Sequence, residues 1–355
     1  MVHIMGRYEK MFQYTIDNHF KFGYNKNWFV NRINEDDQWS VLYGQTNRVV
    51  HNWREECKIA AKNIYDNRQG LSIDILFSGG IDSEIALRSF LEIKVPVNVH
   101  FAVYEDDKNA YDYHYVKQAC NELDLKLKEH KLDVKKFWQS DECLRYAKIS
   151  KSVSPQILPQ MWLMDQVDGL PIMGSAECYT ARSDIAEQKR ITPENRIYDN
   201  RNWVFVEREK IASWYRYPMH TNRPAIPGFF QYTPEIMISY LTDDISLNLH
   251  NNRLKGKLSN ASSKFKICKN YWPELSKRDK HSGFEYLIDE DIVLRKNLKE
   301  INGMFEYEYW SDVFELVDYM TCKTNEMPKN LSKPIKDPCD CYTTYFKTLF
   351  EKGNK

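Results

Sequence analysis

The sequence predicts an α/β protein, a parallel sheet with helices on both faces, followed by a more helical C-terminal part. Three observations carry this. From about residue 51 short apolar runs alternate with segments of helical period, the strand–helix–strand rhythm of a parallel sheet. Two of the runs, IDILF and LPIM, lead into glycine, at Ser78-Gly79-Gly80 and at Gly174. The 355 residues are 42% hydrophobic and 14% aromatic, which supports a substantial core and speaks against global disorder.

The elements follow in order. Residues 1–50 are aromatic and mixed-polar, with GYNKNWFV and WSVLYG as strand-like runs suited to a hairpin packed on the main body. The core is expected over 51–184. Trp53, Cys57, Ala60, Ala61 and Ile64 recur at helical spacing, and N-R-Q-G at 67–70 stops that helix. Ile73–Phe77 reads as a strand, Ser83–Leu91 as a helix and Val97–Tyr104 as a second strand. Tyr113, Val116, Cys120 and Leu123 line a further helix, and LKLKEH offers the third strand. PQILPQMWLMDQV, at 155–167, reads as a proline-containing helix, and LPIMGS, at 170–175, as a buried strand running into glycine.

Residues 185–355 are assigned to a mainly helical C-terminal, substrate-contacting region. Here 183–202 reads as a polar surface excursion, NWVFVEREK as a strand or hairpin, and 304–320 as a helix with Phe305, Trp310, Val313, Phe314 and Val317 inward. There is no internal repeat.

Charge and cysteine content exclude several classes. Lysine plus arginine equals aspartate plus glutamate at 50 each, so no global field favours nucleic acid or an acidic membrane. The N-terminal stretch shows no apolar signal segment, and no run is long enough to span a bilayer. Eight cysteines over this length are too sparse for a disulfide scaffold, which points to a reducing, cytoplasmic setting.

The stretch FSGGIDS, from Phe77 to Ser83, carries the chemistry. Gly79 and Gly80 permit backbone angles and a close ligand approach that side chains would block. Successive amides there and the positive end of the following helix suit one anion, with Ser78 and Ser83 adding hydroxyls. A carboxylate at Asp82 would repel phosphate unless Mg²⁺ lay between them. The plainer alternative is a glycine turn with Asp or Ser capping the helix.

FSGGIDS resembles the PP-loop of the N-type ATP pyrophosphatases, among them asparagine synthetase, NAD synthetase, GMP synthetase, argininosuccinate synthetase and the deazaguanine and thiouridine tRNA-modification enzymes. The resemblance implies an adenine nucleotide alpha hydrolase-like fold and cleavage of ATP between its α and β phosphates. It further implies pyrophosphate and Mg²⁺ at Ser78, Gly79, Gly80, Asp82 and Ser83, beside Phe77. Adenine would be clasped by backbone near His100, Phe101 and Val103. The chain has no GxxxxGK[ST], the signature of γ-phosphoryl-transferring P-loop proteins.

PIMGSAECYTARSD resembles the glycine-and-acid segment that follows a later strand in the asparagine synthetase group. On that basis Gly174 would pass the nucleotide, Ser175 would bond the nucleotide or acyl substrate, and Glu177 would be a second magnesium contact. The alternative is a helix opening at Ser175 with Glu177 in its first turn. The group's pattern carries further acids after the glycine, where Cys178 and Tyr179 stand here. Leaving pyrophosphate needs a cation. ELSKRDKHSGFEYL offers Lys280 first and Arg278 second, and SSKFKICK offers Lys264; a solvated basic run is the alternative. Arg216 and Arg223, in the aromatic and proline-rich stretch 215–235, are candidates to hold a substrate carboxylate.

Two enzymatic readings and one non-enzymatic reading follow. The first is an adenylating ligase that activates a carboxylate or amide oxygen of a small molecule for attack by ammonia or an amine. Val2, not cysteine, follows Met1, so nitrogen is expected as free ammonia, as a substrate amine, or from a separate ammonia-supplying protein. The second is a PP-loop sulfurtransferase or tRNA- or nucleobase-modifying enzyme. Cys178 keeps sulfur chemistry open, although no Cys-x-x-Cys pair exists. Cys322, Cys339 and Cys341 lack an obvious fourth zinc ligand. The third is a non-catalytic nucleotide-binding scaffold.

Overall fold

The computed structural model describes 46, 48–150, 152, 157–175, 213–241, 243, 265–276 and 278 with their side chains. It describes the backbone alone of 21–24, 39–42, 179–182, 203–212, 260–264, 308–312 and 333–334.

Strands β1 (Lys21–Tyr24) and β2 (Trp39–Leu42) form an antiparallel pair; β2 falls within the expected run WSVLYG, whereas β1 overlaps GYNKNWFV only at Gly23 and Tyr24. Helix α1 (Trp53–Asn67) starts where the Asn52 side chain accepts the Glu55 N–H at 3.1 Å. It stops where Gln69 and Gly70 turn left-handed. Its Trp53, Cys57, Ala60, Ala61 and Ile64 stripe is fully buried, as the spacing requires.

The central sheet contains β3 (Ile73–Leu76), β4 (Val97–Tyr104), β5 (Leu127–Leu132) and β6 (Leu170–Met173), all parallel, in the order β5-β4-β3-β6. Ile226 adds a single parallel bridge beyond β6: it donates to the Pro171 carbonyl and accepts from the Met173 N–H, both at 2.9 Å. By chain order the sheet runs third, second, first, fourth, the doubly wound arrangement whose switch point lies between β3 and β6.

Helices cover both faces. Toward one face Ile73, Ile75, Val99 and Phe101 pack with α1, α2 (Ile81–Glu92) and α3 (Ala110–Glu122). Toward the other, Leu76, Ala102, Tyr104 and Leu132 pack with α4 (Val134–Trp138), α5 (Asp141–Ser150) and α6 (Ile157–Asp165). Pro159 is tolerated because it falls in the first turn of α6, where an N–H has no intrahelical partner. On the edge strand β5, Lys128, Glu129 and Lys131 are exposed and blunt further strand pairing.

The later segments feed the same cores. Tyr215 of α7 (Glu209–Thr221), Ile236 and Met237 of α8 (Pro234–Leu241), and Ile267 of α9 (Asn260–Tyr271) join the first cluster, with Trp272 just beyond. Tyr217 joins the second.

Two expectations need correction. The helix expected over 304–320 is instead a strand where it is described: β9 (Glu308–Asp312) pairs antiparallel with β8 (Trp203–Arg208). Phe305, Tyr307 and Tyr309 alternate with glutamates, and this period of two outweighs the helical spacing. The C-terminal region is therefore not simply helical. With β7 (Tyr179–Arg182) and β10 (Lys333–Pro334), these strands form an antiparallel sheet in the order β10-β9-β8-β7. The helix considered at Ser175 is likewise not formed at 179–182, where the chain is strand β7. The expected surface excursion at 183–202 lies outside the described residues.

Among the described residues no helix is long and apolar enough to cross a membrane.

Candidate functional site

The site is built around the turn between β3 and α2. Phe77 prolongs the strand, donating its N–H to the His100 carbonyl at 2.9 Å with its ring buried in the core. Gly79 then takes φ +72°, a conformation that favours glycine, and Gly80 stands at the N-cap of α2 with no side-chain capping bond.

The hydroxyls wind the turn on itself. Ser83 Oγ donates to the Gly80 carbonyl at 2.9 Å and accepts the Ser78 N–H at 3.2 Å. The two serine hydroxyls are 3.1 Å apart.

Two close approaches fix the turn from outside. A Cβ on Gly79 would lie 2.7 Å from the Asp112 carbonyl oxygen of α3. A Cβ on Gly174, just past β6, would lie 2.4 Å from Ser83 Cα and 2.7 Å from the Asp82 carbonyl oxygen. Backbone therefore runs on backbone where β6 leaves the sheet against the first turn of α2. The two glycine segments singled out in the sequence meet at the switch point, where open α/β sheets bind ligands.

Arg278 reaches this turn from the far end of the chain. It donates from Nη1 to the Gly79 carbonyl and from Nη2 to the Glu84 carboxylate. Its guanidinium carbon lies 5.4 Å from the centre of the Tyr115 ring. Burial pulls its pKa down to about 10, so it stays charged at neutral pH. Glu84, only 2% exposed, also binds Arg88 at 2.7 Å.

The other expected residues divide clearly. Asp82 is half-buried in the first turn of α2. The Ser175 hydroxyl donates to the Pro227 carbonyl, fastening the segment beside β6. His100 and Phe101 are not at the carboxyl end of β4, because the strand continues to Tyr104. The His100 carbonyl is used by Phe77, and the Phe101 ring stacks on Tyr113 at 5.7 Å. Val103 alone of those three stands next to the strand end.

Arg216 is wholly buried in α7. Arg223 donates to the Val167 carbonyl, before the start of β6 and so toward the amino-terminal ends of the strands, away from the glycine turn at their carboxyl ends. Lys264 lies on α9 without a described side chain, and Glu177 and Lys280 lie outside the described residues.

Sequence reasoning missed Glu84 and the polar chain beneath the sheet. Asp74 accepts bonds from Asn98 Nδ2 at 2.7 Å, the Gly169 N–H at 2.9 Å and Ser72 Oγ at 3.0 Å. His100 Nε2 is 3.7 Å from Asp74, and its Nδ1 is 2.9 Å from His130 Nε2. Asp74 interrupting an apolar strand was the available signal; Glu84 gave none, since IDSEIALR reads as ordinary helix.

Four cysteines, Cys57, Cys120, Cys143 and Cys268, are buried and form no disulfide. Burial raises the Cys57 and Cys120 thiols and takes Cys143 up to about 12, so these three are not thiolates at neutral pH. Cys178, Cys322, Cys339 and Cys341 lie outside the described residues. Among the described residues no group of three or more His, Cys, Asp or Glu side chains is arranged to hold a metal. Mg²⁺ bound with a nucleotide needs only one or two carboxylates, the phosphates supplying other oxygens, so Asp82 at the turn fits that role. No protein-family model matches this chain, and no curated protein does.

Proposed function

We propose that the chain is an AMP-forming ligase of the ATP pyrophosphatase type. The observation that carries the reading is the glycine turn at the switch point, closed by Gly79 against α3 and by Gly174 against α2. The turn combines a left-handed glycine, serine hydroxyls and a helix start without a side-chain cap, features suited to a dense anion.

In this reading Ser78, Gly79, Gly80 and Ser83 would hold the β and γ phosphates, and Asp82 would hold Mg²⁺. When bound, the ion would neutralise charge on the departing pyrophosphate. Backbone near Val103 and Tyr104 borders the adenine, and Gly174, packed on α2, borders the α-phosphate side where a second substrate meets it. A carboxylate or amide oxygen of that substrate attacks the α phosphorus, and the bond to the β-bridging oxygen breaks as pyrophosphate leaves. Ammonia or an amine then adds to the activated carbon, loses a proton to solvent, and AMP departs. The protein contributes position and fixed dipoles.

The test is a product assay with Mg-ATP and a small-metabolite extract, with and without ammonium, on wild type and Asp82→Asn together. The expected result is substrate-dependent AMP and pyrophosphate from wild type, lost in the variant while its circular dichroism is unchanged. ADP with phosphate would sink the proposed bond cleavage. An unchanged rate in the variant would remove Asp82 from the chemistry.

A further inference from the structure

We infer that Arg278 is a positioning residue that clamps the glycine turn. It holds the Gly79–Gly80 peptide with its carbonyl turned outward, leaving the Gly80 N–H for an anion. The inference rests on the AMP-forming reading, which needs an anion at this turn.

The two glycines leave the turn with a choice. Neither has a Cβ, so the peptide between them can rotate at small cost. None of the described peptides is cis, and in a trans peptide the Gly79 carbonyl and Gly80 N–H point in opposite directions. One orientation offers the cradle a donor. The other offers it a carbonyl oxygen, which repels phosphate. The glycines that admit a phosphate therefore also admit the orientation that rejects it.

Local bonds do not settle the choice. The Gly80 N–H leans toward Ser78 Oγ at 3.4 Å, beyond the usual range for a strong bond and weak enough to yield to a charged acceptor. The firm partner is on the other side, where the Gly79 carbonyl accepts from Arg278.

Arg278 is itself held. Its second nitrogen binds Glu84, which Arg88 also grips. Arg88 lies 3.7 Å from Glu274, and Arg54 joins Glu274, Glu92 and the Tyr271 carbonyl. Tyr271, Glu274 and Arg278 are thus tied to α1 and α2, which hold the guanidinium in one place. Because Glu84 balances its charge, Arg278 acts on the peptide rather than as a free cation for phosphate.

The experiment uses the full chain and inorganic pyrophosphate with Mg²⁺, titrated by calorimetry. Arg278→Met removes both donors, whereas Glu84→Gln loosens the clamp but leaves the arginine charged. Each variant should weaken binding about tenfold, the scale of one charge-assisted hydrogen bond. The double variant should bind no worse than the weaker single one, because both changes release the same peptide.

If Glu84→Gln binds as tightly as wild type or tighter while Arg278→Met binds weakly, Arg278 is a direct phosphate ligand and the clamp is wrong. Wild-type affinity in Arg278→Met also overturns it. Amide exchange at Gly80, measured without ligand, should rise in both variants, and unchanged exchange overturns the clamp. That readout decides the clamp even if wild type binds no pyrophosphate, a result that would sink the AMP-forming reading instead. Should Arg278→Met fail to fold, Arg278→Lys keeps the charge without the two-pronged grip and carries the same comparison.

Discussion

Asp74 shows how a single side chain is made compatible with an apolar strand. Its neighbours Ile73, Ile75 and Leu76 are buried on both sides of the sheet, and it is itself 2% exposed. Burial alone would raise its pKa. The nearby His100 ring and hydrogen bonds from Asn98, Gly169 and Ser72 outweigh that and hold it down at about 2. Between the ordinary carboxylate range and about pH 2 the unfolded chain binds the extra proton, so stability falls as pH drops through that window. His130 acts at higher pH. Burial, then the nearby His100 and Lys128, lower its pKa below 6.5. The folded state therefore resists a proton that the unfolded chain takes, and stability also declines as pH falls below 6.5. Urea midpoints measured against pH should show both losses in wild type. Asp74→Asn should lose the lower one, and His130→Gln the upper one. A wild-type profile flat from pH 7 to pH 3 would refute both assignments.

At the scale of elements, the site depends on how closely α2 approaches the end of β6. Gly174 and Gly70 make a controlled pair for testing this. Gly70 has φ +85° but nothing within 4 Å of a built Cβ, so Gly70→Ala meets only the left-handed penalty, about 1–2 kcal/mol. In Gly174→Ala the methyl meets backbone at 2.4 Å, which cannot rotate aside as a side chain could. The two elements must part, at about 1–3 kcal/mol for an overpacked contact. Denaturant unfolding should show both losses. The distinguishing expectation is functional: Gly174→Ala should impair Mg-ATP-dependent AMP formation, and Gly70→Ala should leave it intact. Equal effects on activity would separate the β6–α2 contact from the site. The strand order is what makes this contact possible, since β6 lies beside β3 and both carboxyl ends open on the same crevice.

For the whole molecule, Trp53 marks where early and late segments join. Its ring, 1% exposed, lies within 4.9–6.0 Å of Tyr240, Trp272, Phe230 and Tyr271, so α1 is packed against α8, α9 and the turn at 229–231. Trp53→Ala should cost about 3–5 kcal/mol, the range for truncating a buried aromatic. Because these contacts belong to the same core as the sheet, the loss should move one cooperative transition rather than split off a C-terminal step. Calorimetry showing a separate low-temperature transition would contradict that. The four parallel strands, helices α1, α2, α3 and α6 and both glycine segments were legible in the sequence, because period, strand-ending glycine and buried apolar runs are local signals; α4 and α5 were not. The helical reading of 304–320 fails at 308–312, because Phe305, Tyr307 and Tyr309 alternate while other apolar residues keep helical spacing, so two periods coexist. It took the folded chain to show that Gly174 lies on Ser83, that Arg278 grips Gly79 and Glu84, and that Arg223 binds at the amino-terminal ends of the strands. Those contacts join residues far apart in the chain. Nothing in the spacing of one segment encodes which distant backbone group will complete its hydrogen bonds; folding the sheet in its doubly wound order brings them together.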